Sequence, residues 1–156
     1  MDHKITVIDN FLSDNECDFL IDFFKKSSDK EVWYNTNIIW LKKHPFNLRL
    51  SYIRFKCMYR IKKKFKFRKN YDQIVYWPPS SFKQLHKDGT VDKENDWTSV
   101  CYLNDNFEGG ETIIEYKKLK PQKGRLVVFP SKKLLHGVSL VKKTPRYTFI
   151  SWWREV

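Results

Sequence analysis

His86 and Asp88 stand one residue apart in QLHKDGT, and the chain of 156 residues holds only four histidines. Side chains two positions apart on a strand project to the same face. The pair is therefore either two ligands for one cation or a surface ion pair at a strand end. A firmly held metal needs a third ligand from another segment, and the histidines left are His3, His44 and His136. His3 belongs to a terminus expected to fray, and His44 precedes a proline at an expected helix start. His136, in PSKKLLHGV, follows the apolar run LVVFP and sits beside a glycine at a strand end, as the His86/Asp88 pair does. Two histidines and one carboxylate on one face of a metal leave three positions open, which suits Fe(II) and oxygen chemistry.

Arg146 lies ten residues past His136, in TPRYTFISWW. On a strand it shares a face with Thr148, Ile150 and Trp152, and the last two mark that face as inward. A buried guanidinium is costly unless an anion meets it. A dicarboxylate bound to the metal at one end would supply that anion, gripped through two parallel hydrogen bonds. A strand-edge arginine in solvent is the alternative.

The elements that must position these residues fall into two halves. Ser13-x-x-Glu16 resembles a capping box, with Phe11 and Leu12 before it and Cys17, Leu20, Ile21 and Phe24 at helical spacing after it. The spacing predicts a helix over 14–27. A second helix is expected from His44-Pro45, with Leu48, Tyr52, Phe55 and Tyr59 on one stripe, running to a lysine-rich segment near residue 63. Residues 31–43 carry no clear pattern. From Tyr71 onward, YDQIVYW, SFKQLHKD, WTSVCYLND, GETIIEY, GRLVVFP and PRYTFISWW are short β-rich runs separated by glycine and proline turns. Six or more strands without an intervening helix indicate an antiparallel sandwich or barrel. One domain over 1–156 is expected, helical over about 1–69 and β over about 70–156.

Composition narrows the class. Apolar residues make up 41% and aromatics 17%, which describes a globular chain. No apolar run is long enough for a membrane span, and the N-terminus lacks a signal-peptide pattern, so a cytoplasmic protein without membrane partners is expected. Cys17, Cys57 and Cys101 form no CxxC and read as reduced, packed thiols. The net charge is +12, and Arg54 to Lys69 holds nine basic side chains and no acid, with Phe55, Tyr59, Phe65 and Phe67 between them. That segment is either a nucleic-acid or acidic-partner patch or a solvated helix face.

HKD, YLNDNFEGGET, LVVFP and HGV followed by the arginine, in that order, resemble the 2-oxoglutarate- and Fe(II)-dependent dioxygenases, closest to the prolyl 4-hydroxylase-like branch. The likeness covers Tyr71 to Trp153 and extends loosely to VIDNFLSDNEC. It implies an α+β fold: a double-stranded β-helix, a jelly-roll or cupin-like core, with N-terminal helices packed on it. It implies Fe(II), 2-oxoglutarate and O2, with room for ascorbate as a supplementary reductant. The iron ligands then fall on His86, Asp88 and His136, and the far carboxylate of 2-oxoglutarate on Arg146. Tyr76 and Tyr102 match further co-substrate contacts and Trp152 a substrate-pocket wall, with plain core packing the alternative for all three. Many relatives carry lysine where Arg146 stands. WPPSS replaces their usual glycine-containing turn, and GTVDKEND lies where relatives often have a lid. The reaction implied is hydroxylation of a C–H bond with release of succinate and CO2, the substrate a protein or peptide, through a peptidyl proline. The alternatives are a nucleic-acid-directed oxygenase using the 54–69 segment, for which Arg154 is poorly spaced as a second arginine, and a non-catalytic module binding nucleic acid or an acidic partner.

Overall fold

The computed structural model describes residues 5–89 and 95–156. Helix α1 spans Asp14–Lys26 and starts as its sequence dictates. Ser13 Oγ accepts from the Glu16 amide at 3.2 Å, and Glu16 Oε1 accepts from the Ser13 amide at 3.0 Å, which satisfies two otherwise orphaned donors. Its Cys17, Leu20 and Phe24 are buried. Helix α2 spans Leu48–Phe65, later than His44-Pro45, because Asn47 is its cap: Asn47 Oδ1 accepts from the Leu50 amide at 2.9 Å. A single turn over Leu41–Lys43 precedes it. No helix among the described residues is long and apolar enough to cross a membrane.

The stripe of α2 that packs inward is not the aromatic one. Leu50, Ile53, Cys57 and Ile61 are buried, whereas Leu48, Tyr52, Phe55 and Tyr59 are exposed. Both sets have helical spacing, so periodicity could not separate them. An ion pair makes the choice. Arg54 donates Nε–H and Nη2–H to the two carboxylate oxygens of Asp72, each at 2.8 Å, and Lys69 Nζ adds a third bond at 2.8 Å. Asp72 is 1% exposed, so the helix must present Arg54 to the sheet.

Thirteen strands lie among the described residues. Three precede α2: β1 (Thr6–Ile8), β2 (Glu31–Trp33) and β3 (Thr36–Trp40). After it come β4 (Phe67–Trp77), β5 (Lys83–His86), β6 (Trp97–Tyr102), β7 (Glu108–Gly109) and β8 (Thr112–Ile114). The last are β9 (Lys117–Leu119), β10 (Leu126–Phe129), β11 (His136–Val138), β12 (Val141–Lys142) and β13 (Arg146–Glu155). A seven-stranded sheet has the order β1-β10-β6-β13-β4-β3-β2, and a four-stranded sheet the order β5-β11-β8-β9. Strands β7 and β12 pair separately. All pairings are antiparallel. This is the two-sheet core of a double-stranded β-helix with two helices outside it, so the α+β expectation holds. The division near residue 69 does not: β1, β2 and β3 come from the first half and join the larger sheet. Residues 31–43, unpatterned in sequence, supply two of those strands.

Alternation along the long strands sorts the core into two. Ile74, Tyr147, Phe149 and Trp153 face the helices and pack with Leu20, Phe24, Ile53 and Cys57. Val75, Trp77, Val100, Tyr102 and Ile150 face the smaller sheet and pack with Ile114, Val127 and Val138. The cysteines are unpaired and buried. Burial pushes the Cys17 and Cys57 thiols up to about 12, which leaves them protonated and unreactive.

Asp72→Ala leaves Arg54 and Lys69 facing the sheet without a counter-charge. It is expected to lower unfolding stability by about 3 kcal/mol, measured by urea denaturation. A loss below about 1 kcal/mol would show that the pair does not fix the orientation of α2.

Candidate active site

Strand pairing brings the expected metal ligands together. In the antiparallel β5/β11 pair His136 lies directly opposite His86, and Asp88 follows two residues beyond the end of β5. The ligand atoms of His86, Asp88 and His136 all lie within 4.8 Å of one another. Asp88 Oδ1 is 3.5 Å from His86 Nε2 and 3.4 Å from His136 Nε2. The close approach of the two strands depends on Gly137, where an added Cβ would meet the Lys83 carbonyl oxygen at 2.5 Å.

Each ligand is oriented by a second contact. His86 Nδ1 is 2.9 Å from Gln84 O and His136 Nδ1 is 3.0 Å from Leu134 O. A carbonyl only accepts, so both Nδ1 atoms carry the proton and both Nε2 lone pairs face the cluster. Asp88 Oδ2 accepts from Thr98 Oγ1 at 2.8 Å and from Trp152 Nε1 at 3.2 Å, which leaves Oδ1 for a cation. The hydrogen bonds that Thr98 and Trp152 donate favour the ionised form of Asp88. An ionised carboxylate and two neutral imidazoles suit a divalent metal of the Fe(II) type. His44 is placed elsewhere, bonded to Asp29 at 2.9 Å and edge-on to Phe23. His3 and residues 90–94 of the expected lid lie outside the described residues.

The inter-sheet space holds a second polar group. Arg146 is 1% exposed, and burial pulls its pKa below the ordinary value. Its Nη2 donates to Thr112 Oγ1 at 3.2 Å, while Nε and Nη1 have no partner among the described residues. The buried Trp77 Nε1 and Thr148 Oγ1 also lack one. These atoms belong to one neighbourhood. Trp77 is the cross-strand partner of Arg146, whose guanidinium carbon lies 5.0 Å from the Trp77 ring and 5.2 Å from the Tyr102 ring. Gly110 closes the site, since a Cβ there would come within 3.2 Å of Arg146 Cδ. Buried donors of this number without acceptors are rare in native proteins, and an anionic ligand would satisfy them together.

Three expectations need adjustment. Tyr76 faces the helices, with its ring 5.7 Å from Phe24 and 5.3 Å from Tyr147, so it cannot contact a ligand between the sheets. The inward residue is its neighbour Trp77. In IVYW, residues 74–77, every residue is apolar or aromatic, so the alternation carries no sign of which face is which; pairing with Arg146 supplies it. Tyr102 does lie beside Arg146, but its hydroxyl is bonded to Thr112 Oγ1 at 2.6 Å and accepts from the Thr112 amide at 2.9 Å. Trp152 does more than line the space, because its indole N–H holds Asp88.

The sequence profile of the 2OG-Fe(II) oxygenase superfamily matches residues 58–154, and the chain belongs to that family. It is a 2-oxoglutarate-dependent dioxygenase, an enzyme class that uses Fe(II), 2-oxoglutarate and O2. The solved structures it resembles include the viral collagen prolyl hydroxylase of Paramecium bursaria Chlorella virus-1, solved as its 2OG complex. That protein is 27% identical, covers 97% of this chain and 96% of its own, and has a TM-score of 0.76. The fold also matches a Pseudomonas putida prolyl-4-hydroxylase at 18% identity, over 99% and 94% of the two chains, with a TM-score of 0.79. A prolyl hydroxylase from Trichoplax adhaerens, in complex with a hypoxia inducible factor oxygen degradation domain peptide, matches at 19% identity over 99% and 84%, with a TM-score of 0.81. No curated sequence relative matches the chain.

Arg146→Met removes the buried charge and keeps much of the volume. Without ligand it is expected to raise unfolding stability by about 1–2 kcal/mol, read by urea denaturation. A decrease would show that the guanidinium is already satisfied by the protein.

Proposed function

We propose that the enzyme hydroxylates a peptidyl proline, with Fe(II) held by His86, Asp88 and His136 and the far carboxylate of 2-oxoglutarate held by Arg146. The observation that carries the reading is the pairing of two unsatisfied groups in one space. Cation ligands gather at one end of the inter-sheet space, and unpartnered buried donors of Arg146, Trp77 and Thr148 gather elsewhere along the same face. A dicarboxylate whose near end reaches a metal fits both. Similarity to a collagen prolyl hydroxylase over nearly the whole chain supports the choice of substrate.

A row of rings supports it independently. Trp152, which touches Asp88, stands 4.8 Å from Tyr71, and Tyr71 stands 5.5 Å from Trp40. These half-buried rings cross β13, β4 and β3 beside the metal ligands. Proline-rich segments dock on such aromatic surfaces because their backbone is already extended and little order is lost on binding.

The iron supplies the oxygen-activating chemistry, coupled to conversion of 2-oxoglutarate to succinate and CO2. The residues supply positioning. The carbonyls of Gln84 and Leu134 keep both Nε2 atoms directed at the cation, and Thr98 and Trp152 keep Asp88 Oδ1 free for it. Arg146, Trp77 N–H and Thr148 O–H orient the co-substrate, and the apolar inter-sheet packing keeps water away from the reacting centre.

Succinate formation under air with Fe(II) is expected to rise on addition of a proline-rich peptide. The product should gain about 16 Da, one oxygen atom, and His136→Ala should reduce turnover at least about 100-fold. Stimulation by oligonucleotides alone would overturn the peptide assignment. Trp77→Phe keeps the ring and removes the N–H. It should weaken 2-oxoglutarate binding roughly ten-fold or more, measured by calorimetry with Mn(II) in place of iron; unchanged affinity would remove Trp77 from the co-substrate site.

A further inference from the structure

We infer that the outward face of α2 is a docking surface for single-stranded nucleic acid, separate from the oxygenase site. Leu48, Tyr52, Phe55 and Tyr59 lie on the side of α2 opposite its buried stripe, and each is more than half exposed. They recur at intervals of four, three and four residues, so they form one line along the helix. The next position on that line is Lys62, with Lys63 beside it. Lys66 and Arg68 carry the positive charge past the helix end. Large apolar side chains gathered on one exposed face mark an interaction site rather than ordinary surface.

Charge and ring chemistry identify the partner. Helix α2 has seven basic residues and no acidic one. Four of the seven are used internally: Arg54 binds Asp72, Lys56 binds Glu16, Arg60 donates to the Phe11 carbonyl, and Arg49 lies over the Phe19 ring. Lys62, Lys63, Lys64, Lys66 and Arg68 form no ion pair among the described residues. The partner is therefore a polyanion. A second copy of the chain is excluded, because pairing this face with itself would set like charges together.

The rings separate the remaining polyanions. Helix–helix seams are aliphatic at their core positions, whereas three of the four residues here are aromatic and the next is Lys62. A helix seated on an anionic membrane keeps its cations on the polar face, away from its apolar stripe; here Lys62 continues the apolar line. Aromatic rings followed by cations along one track is the arrangement that binds unpaired bases by stacking and their phosphates by charge. The Phe55 and Tyr59 rings already lie nearly parallel, 21° apart with centroids at 6.3 Å.

The test is fluorescence anisotropy with fluorescein-labelled 12-mers of oligo(dT) and oligo(U), titrated with the full chain between 50 and 200 mM salt, each figure roughly bracketing the range over which phosphate contacts weaken. Binding is expected with a log–log salt slope of about −3.5, from about five phosphate contacts. Tyr52→Ala/Phe55→Ala/Tyr59→Ala should weaken it at least about ten-fold with an unchanged far-UV spectrum, since none of these side chains is in the core. Lys62→Glu/Lys63→Glu should flatten the salt slope, and His136→Ala should leave the affinity unchanged. Full affinity in the triple-ring variant, or loss of it in His136→Ala, would overturn the assignment. So would binding to phosphatidylserine vesicles or an acidic helical peptide with none to either oligonucleotide.

Discussion

The structure turns on the buried cation of Arg146. Arg146 opens β13, the central strand of the larger sheet, where it pairs with Trp77 of β4, and its side chain is buried between the sheets. Among the described residues it makes one hydrogen bond, to Thr112, and no ion pair. Burying a charge on those terms costs several kcal/mol. Such a cost persists where the surrounding structure over-determines it and a ligand recovers it. Here the surroundings are Trp77 and Tyr102 on either side of the guanidinium and a glycine where any Cβ would crowd its stem.

The same strand reaches the other end of the site. Trp152, six residues along β13 on the same face, donates to Asp88. The spacing between the cation that would hold one end of a ligand and the carboxylate that would hold a metal is thus tied to the rise of one strand. The smaller sheet brings the histidines to meet it, because the register of β5 against β11 sets His86 and His136 face to face. Neither sheet makes the site alone. Their separation, set by the packing of Val75, Val100, Ile114 and Val138 between them, decides whether the halves meet.

Much of this was legible in the chain. His86-x-Asp88 and a histidine beside a glycine after an apolar strand are polar residues where strand patterning demands apolar ones, and such violations stand out. Arg146 was readable for the same reason, since Ile150 and Trp152 named its face. Trp77 was not, because every residue around it is apolar or aromatic and the face of β4 is set by pairing partners distant in sequence. The strands at 31–33 and 36–40 were hidden likewise: one lies at the sheet edge and is exposed throughout, so it carries no alternation. The orientation of α2 needed Asp72, a residue in a different element. Periodicity finds helices and strands; long-range pairs decide which way they face.

The basic segment shows that logic at its clearest. As a run, Arg54 to Lys69 looks like a single surface feature, but the fold divides it by geometry. Arg54 and Lys69 turn inward to a carboxylate that is almost wholly buried, and Lys56 and Arg60 hold α1 and the segment before it. Those four charges are structural, and their loss would be felt in stability. The lysines of the last turn form no ion pair among the described residues. They do sit where cations favour a helix C-terminus, but two would serve that end as well as five basic residues in seven positions. A chain already carrying a net charge of +12 gains no solubility from concentrating more of it beside exposed rings. Self-repulsion at that density is a cost to the folded monomer, and a bound polyanion is what would offset it.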